Sequence, residues 1–324
     1  MFKRHRRLRI NQSMRNLVKD VYLDVDDLIY PLFIKEGRGI KEEIKSMPGI
    51  FRFSIDTLRK ELDEVESLGI KTLLLFGIPK HKDSLATEAY NEHGVIQEAV
   101  RFIKKEYPDF LIITDVCACE YTDHGHCGIL DKKGYVMNDR SINLLANVAL
   151  SHVRAGADIV APSDMMDGRV SRIRGILDKE GFINTPIISY SVKFSSAFYG
   201  PFRDAADSAP QSGDRKSYQM DYRAEFDVLS EVEEDMKQGA DMIIVKPALA
   251  YLDLMTKIKN EFNVPIIAYN VSAEYSMVKA AAQNGWIDEK AIIMEKMYAM
   301  KRAGASIIIT YFAKEVAKWL KEGK

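Results

Sequence analysis

From about residue 28 to the end of the chain, short runs of branched apolar residues alternate with amphipathic stretches of helical length. The apolar runs are LIYPLFI (28–34), TLLLFGI (72–78), FLIITDVCA (110–118), ADIVAPSD (157–164), TPIISYSVK (185–193), MIIVKPA (242–248), VPIIAYNVS (264–272) and ASIIITYF (305–312). Their apolar cores have the length and composition of strands buried on both faces. Between them, residues 57–68, 87–105, 141–155, 225–238 and 289–303 read as helices. Gly69, Gly156, Gly239 and Gly304 each follow a helical stretch and suit left-handed caps. GADIV, GADMIIV and GASIII therefore repeat one pattern, a helix stop followed at once by a strand.

Eight such strands with intervening helices predict a closed (β/α)8 TIM barrel, fold class α/β. A doubly wound open sheet shows the same alternation. The count of eight, and the lack of a GxGxxG turn after the first strand, favour the barrel. A length of 324 residues would suit two domains, but one barrel fills it as well. The expected division is an N-terminal arm over 1–27 and a catalytic barrel over 28–324. A barrel also predicts where chemistry sits, at the C-terminal ends of its strands. The segment from 195 to about 221 exceeds the roughly 12–15 residues beyond which a structureless loop is usually functional or disordered.

Composition narrows the classes. Hydrophobic residues make up 47% and charged residues 29%, ordinary for a globular core. The 46 basic and 47 acidic side chains leave a net charge of -1, so no global field draws the chain to nucleic acid or anionic lipid. No apolar stretch approaches the roughly 20 residues of a membrane span. The basic start, MFKRHRRLRINQSM, has no apolar centre like that of a secretory signal, which leads us to expect a cytoplasmic protein.

Three cysteines are too few, and odd in number, for a disulfide framework. All lie in DVCACEYTDHGHCG (115–128). Cys117 and Cys119 are two apart on an extended run, so their thiols share a face. Cys127 can return to them through a turn. Three thiolates leave one tetrahedral position of a Zn²⁺ open, the catalytic pattern. A structural site would take His124 or His126 as fourth ligand.

Lys193 ends the fifth run and Lys246 the sixth. A lysine there points into the barrel mouth, where burial and a second cation both lower an amine's pKa. A neutral amine attacks a ketone to form a Schiff base. The ordinary alternative, a snorkelling or salt-bridged lysine, fits two matched positions poorly. Arg203 and Arg215 in the long loop, with Gln219 beyond, suit a lid that clamps a carboxylate. Solvated loop charge is the plainer reading. Ser272 and Tyr311 put hydroxyls at the same barrel face. Asp115, Ser163 and Asp164 end strands three and four, where they could orient an amine or relay protons. Asp167 is offered as a helix cap.

Together these segments resemble the porphobilinogen synthase (5-aminolevulinate dehydratase) family. The match runs from RRLRIN (6–11) through the cysteine segment, APSDMMDGRV (161–169), YSVKFSSAFYGPFRDAA (190–206), GDRKSYQMD (213–221), GADMIIVKPAL (239–249), AYNVSAEY (268–275) and IITYF (308–312). The resemblance implies a lyase of tetrapyrrole (haem) biosynthesis that condenses two 5-aminolevulinate molecules to porphobilinogen with loss of two waters. It implies Schiff-base chemistry at Lys246 for the first substrate and at Lys193 for the second. Ser272 and Tyr311 match residues that hold the first carboxylate; Arg203, Arg215 and Gln219 match those that hold the second. Asp115, Ser163 and Asp164 match polar residues beside the substrate amines. Cys117, Cys119 and Cys127 imply the zinc-dependent type, with zinc acting on the second substrate. Glu231, fifteen residues before Lys246, matches the glutamate that holds an allosteric magnesium in many relatives; a solvated acidic helix face is the alternative. The basic arm matches the segment that embraces a neighbouring subunit, implying a homo-oligomer, a homo-octamer built of dimers. Tyr222 stands where proline is usual, and Ser217 where some animal-type members have the cysteine of a second zinc site. Two other readings remain: an aldolase-like barrel with one Schiff-base lysine, and a non-catalytic barrel with structural zinc.

Overall fold

In a computed structural model describing residues 2–322, eight parallel strands form the barrel. They are β1 (Leu28–Lys35), β2 (Thr72–Ile78), β3 (Leu111–Val116), β4 (Ile159–Pro162), β5 (Ile188–Lys193), β6 (Met242–Lys246), β7 (Ile266–Asn270) and β8 (Ile307–Thr310). Each neighbours the next in sequence, and β1 pairs with β8. The ring closes between β4 and β5 through a single parallel bridge, Val160 to Ile187. All eight expected strands are present, and the chain is a (β/α)8 barrel. Nearly every strand residue is buried, because helices cover the outer face and side chains fill the inner one.

Four of the five expected helices lie within a few residues of their predicted bounds: Arg59–Ser67, Asn138–Ala155, Val228–Lys237 and Glu289–Arg302. Gly156 caps the second with φ 109° and donates to His152 O and Val153 O. The helix expected over 87–105 begins only at Val95. The Asn91 side chain accepts from His93 N at 3.0 Å, a local turn that competes with the helix before it starts.

Two features departed from the sequence pattern. A short antiparallel hairpin, Lys41–Glu43 with Phe51–Phe53, adds to the C-terminal half of β1. The long segment after β5 is not structureless. It holds a 3-10 turn, Ala197–Tyr199, and a helix, Gly200–Ala205, that lie over the barrel mouth. The hairpin braces this lid: Arg52 Nε donates to Ala205 O at 2.7 Å and Ser46 Oγ to Asp204 Oδ2 at 2.5 Å. The N-terminal segment carries a 3-10 turn, His5–Arg9, and a helix, Gln12–Leu17, neither with a buried residue. No helix among the described residues is long and apolar enough to cross a membrane.

Candidate active site

The strand ends deliver one buried cluster. Asp115 (β3), Ser163 (after β4), Lys193 (β5) and Lys246 (β6) line a cavity with Cys119, Glu120 and the lid residues Phe202, Arg203 and Arg215. Lys193 and Lys246 are Cα partners across β5 and β6, and each is 4% exposed. A register shift between Ser189 and Val192 inserts an extra residue in β5. Tyr190 and Lys193, three apart, therefore meet on one face, with the ammonium 5.5 Å from the ring centroid.

Lys193 Nζ donates to Ser163 O. Lys246 Nζ instead sits among rings, 4.5 Å from the centroid of Tyr269, 4.7 Å from Phe202, 5.2 Å from Tyr190 and 5.3 Å from Tyr199. Burial first, and then the Lys193 charge, bring the Lys246 pKa down to about 7, against the pull of Asp115, Cys119 and Glu120. An amine so placed is substantially neutral near pH 7, the state a nucleophile needs.

Burial, then the Glu120 carboxylate, push Asp115 up to about 7, against the two lysines. Its Oδ2 accepts from Ser163 Oγ at 3.0 Å, while buried Oδ1 has no partner among the described residues. Asp164 faces the other way, since adjacent residues of an extended chain point to opposite sides. Its Oδ1 accepts from Met166 N at 2.7 Å, and Oδ2 lies 3.9 Å from Arg169 Nε. Burial, opposed by Arg169, brings its pKa to about 6. Asp164 thus lines the barrel wall and not the cavity. Asp167 does not cap the following helix; its N–H donates to Asn138 Oδ1 at 2.8 Å.

Cys117, Cys119 and Cys127 converge as the sequence suggested. Their sulfurs lie within 4.8 Å of one another, all buried, and none is in a disulfide. Cys117 Sγ is 3.3 Å from Cys119 Sγ. Hydrogen bonds from the other two thiols, aided by Arg215 and Lys193, hold the Cys127 thiol well below its ordinary range despite burial. Burial pushes Cys117 up. Three sulfurs sharing protons around one point form a donor set that fits a thiolate-preferring cation. Neither histidine joins the set among the described residues. His126 spends Nε2 on Ser212 O (2.9 Å) and Nδ1 on the Tyr218 hydroxyl (3.1 Å), and His124 Nδ1 accepts from His126 N (3.1 Å).

The lid brings Arg203 and Arg215 together. Arg215 Nη2 donates to Gly125 O at 2.9 Å and Ser208 O at 2.6 Å. The Nε of each arginine, and both amide atoms of Gln219, are buried without a hydrogen-bond partner among the described residues. Gln219 lines the adjoining groove. Burial and the Arg215 charge lower the Arg203 pKa. Ser272 and Tyr311 lie just outside the cavity. Ser272 Oγ accepts from Phe202 N at 3.0 Å and donates to Phe198 O at 3.3 Å; the Tyr311 and Tyr269 hydroxyls are 3.2 Å apart.

Sequence reasoning missed Glu120 and the aromatic ring set. Glu120 is buried, and its Oε2 lies 3.2 Å from Cys119 Sγ. Its place directly after Cys119 was the available signal. For Phe202 the signal was its position beside Arg203. Glu231 stands apart on the helix Val228–Lys237, half-buried in an outer groove with Asp167, Glu234 and Asp235.

The family model described as delta-aminolevulinic acid dehydratase matches residues 2–319. A delta-aminolevulinic acid dehydratase of Halalkalibacterium halodurans is 55% identical over 323 residues, covering 100% of this chain and 98% of its own. That of Bacillus subtilis is 56% identical over 321 residues, covering 99% of each. Among solved structures, delta-aminolevulinic acid dehydratase (porphobilinogen synthase) of Toxoplasma gondii, in complex with the reaction product porphobilinogen, superposes with a TM-score of 0.98. It is 44% identical, covering 100% of this chain and 93% of its own.

Proposed function

The chain belongs to the delta-aminolevulinic acid dehydratase family, and we propose how its residues divide the work of that family's reaction. Its activity is that of a porphobilinogen synthase, a lyase that joins two 5-aminolevulinate molecules into porphobilinogen with loss of two waters. The observation that carries the division is the in-register pair of buried lysines facing Asp115 and the cysteine cluster.

Lys246, with its pKa near 7, attacks the ketone of the first substrate as the neutral amine. The nitrogen loses its protons as the C–N bond forms, and the carbonyl oxygen leaves as water to give the imine. Asp115, also near pKa 7, is poised to pass a proton to that leaving oxygen. Lys193, in register with Lys246, is assigned to the ketone of the second substrate. Ser163 and the free oxygen of Asp115 orient a substrate ammonium. Asp164 supports this site from behind, through the turn at Met166.

The carboxylate of the second substrate is assigned to Arg203, Arg215 and Gln219, whose unpartnered N–H groups are donors suited to it. The first is assigned to Ser272 and Tyr311. The Ser272 O–H can swing from Phe198 O to a carboxylate while its oxygen keeps the Phe202 N–H.

Cys117, Cys119 and Cys127 would hold a zinc ion, which when bound supplies Lewis acidity toward the second substrate. Glu231 is assigned to magnesium. Burial, then Asp235, Asp167 and Asp227, raise its pKa against Arg169, a setting a hydrated divalent cation would relieve. Magnesium should stimulate the native protein and not Glu231→Gln; equal stimulation removes this assignment. The arm over 1–27 is assigned to contacts within a homo-oligomer, a homo-octamer built of dimers. Phe2, Ile10 and Leu17 are 73%, 75% and 77% exposed, apolar surface that a neighbouring subunit would cover. Deleting residues 2–20 should lower the mass measured by light scattering; an unchanged mass contradicts it. Three free thiols suit the reducing cytoplasm.

Purified protein given 5-aminolevulinate and zinc should form porphobilinogen, read with an Ehrlich-type colour reagent. No product under those conditions overturns the functional reading.

A further inference from the structure

The lid segment 207–220 grips the loop that carries Cys127. Gln211 N donates to His124 O at 3.0 Å. Arg215 Nη2 donates to Gly125 O at 2.9 Å. The His126 ring bridges Ser212 O (2.9 Å) and the Tyr218 hydroxyl (3.1 Å). Cys127 N donates to the same hydroxyl at 3.5 Å. Four consecutive residues, 124 to 127, therefore each touch the lid. The approach is close: a Cβ on Gly125, which has φ 72°, would lie 2.4 Å from Ala209 O.

With the His126 ring neutral, the hydrogen bonds around Tyr218 fit one polarity. His126 Nε2 faces a carbonyl, so it carries the proton, and Nδ1 is then an acceptor in the neutral ring. Tyr218 O–H donates to Nδ1, leaving the phenol oxygen to accept from Cys127 N–H. The lid thereby fixes the backbone of Cys127 and the ring beside it.

We propose that lid closure and metal occupancy of the three cysteines are one linked equilibrium, with Tyr218 as the positioning residue at the joint. This rests on the zinc reading above. A cation drawing Cys127 toward Cys117 and Cys119 orders residues 124–127, which are the seat of the lid. Ordering that seat favours closure, and closure in turn holds Cys127 in place for the cation, since coupling between two binding events is reciprocal. Arg215 lies on the same segment, so zinc also prepares the carboxylate clamp.

The test uses the full chain, stripped with a chelator and then titrated with zinc. Hydrogen exchange is followed in peptides spanning 207–220, and zinc affinity is measured by competition with a chromophoric chelator. Zinc should slow exchange across 207–220 in the native protein. Tyr218→Phe, which removes only the hydroxyl, should lose part of that protection and bind zinc about 10-fold more weakly. Ser217→Ala, beside the joint, should change neither. Zinc binding to the native protein with unchanged exchange in 207–220 overturns the linkage, as does Tyr218→Phe with full affinity and full protection. If the native protein binds no zinc, the metal reading itself fails and takes this inference with it.

Discussion

Lys193 and Lys246 stand opposite each other in register at the ends of adjacent parallel strands, each buried in the barrel mouth. Neighbouring strands lie only about 4.8 Å apart, so two ammonium ions there oppose each other. The protein separates their surroundings. Lys193 donates to Ser163 O, whereas Lys246 is enclosed by rings and carries a pKa of about 7.

Removing the Lys193 charge should therefore raise the Lys246 pKa, because a like charge disfavours the ammonium and its loss restores it. In Lys193→Met, the rate of cyanoborohydride trapping of 5-aminolevulinate on Lys246 should keep its sigmoid pH dependence. Its midpoint should move above the native value of about 7. An unmoved or lowered midpoint contradicts the electrostatic coupling.

Cys127 returns from a separate loop to complete the three-sulfur donor set, so its loss should leave only two thiols for a metal. Cys127→Ala should lose bound zinc by elemental analysis, and kcat/KM should fall by about 100-fold or more. Retained zinc at native stoichiometry with native kcat/KM would show that the thiols are inert packing.

Much of this site was legible because barrel chemistry gathers where apolar runs end. Lys193, Lys246 and Asp115 lie at such ends. Cys117 and Cys119 do meet, but β3 stops at Val116 and Cys119 sits in a turn closed on Ala118 O, so a turn and not extended alternation brings the two sulfurs together. What escaped was set by tertiary contact. Asp164 turns to Arg169 because Ser163 already faces the cavity. Ser272 is engaged by Phe202, a residue 70 positions earlier, which no local pattern announces. The lid read as loop because its helix, Gly200–Ala205, is too short for a periodic signal and is held from outside by Arg52.

Arg215 spends one nitrogen, Nη2, on two carbonyls, Gly125 O and Ser208 O, and still presents Nε unpaired on the same guanidinium plane. A lysine cannot reproduce that geometry. Arg215→Lys should raise KM for 5-aminolevulinate by about 10-fold or more, with a smaller change in kcat. A native KM in steady-state assays would remove Arg215 from the carboxylate clamp.

His152 is fully buried, with its ring set against the Ala89 backbone. Burial lowers its pKa from 6.5 to about 3. The unfolded chain therefore binds a proton below pH 6.5 that the folded one refuses. Stability from this residue is complete above pH 6.5 and declines as pH falls toward 3, by about 1.4 kcal/mol per unit. Denaturant midpoints should drop more steeply between pH 7 and 5 in the native protein than in His152→Leu. Equal slopes would contradict a buried neutral imidazole.

The covalent role of the paired lysines is tested most directly by borohydride reduction in the presence of 5-aminolevulinate, followed by peptide mass mapping. The reduced adduct should map to the peptide containing Lys246, and Lys246→Met should abolish it along with turnover. An adduct on neither Lys246 nor Lys193, from protein that turns over substrate normally, would contradict Schiff-base catalysis at this site.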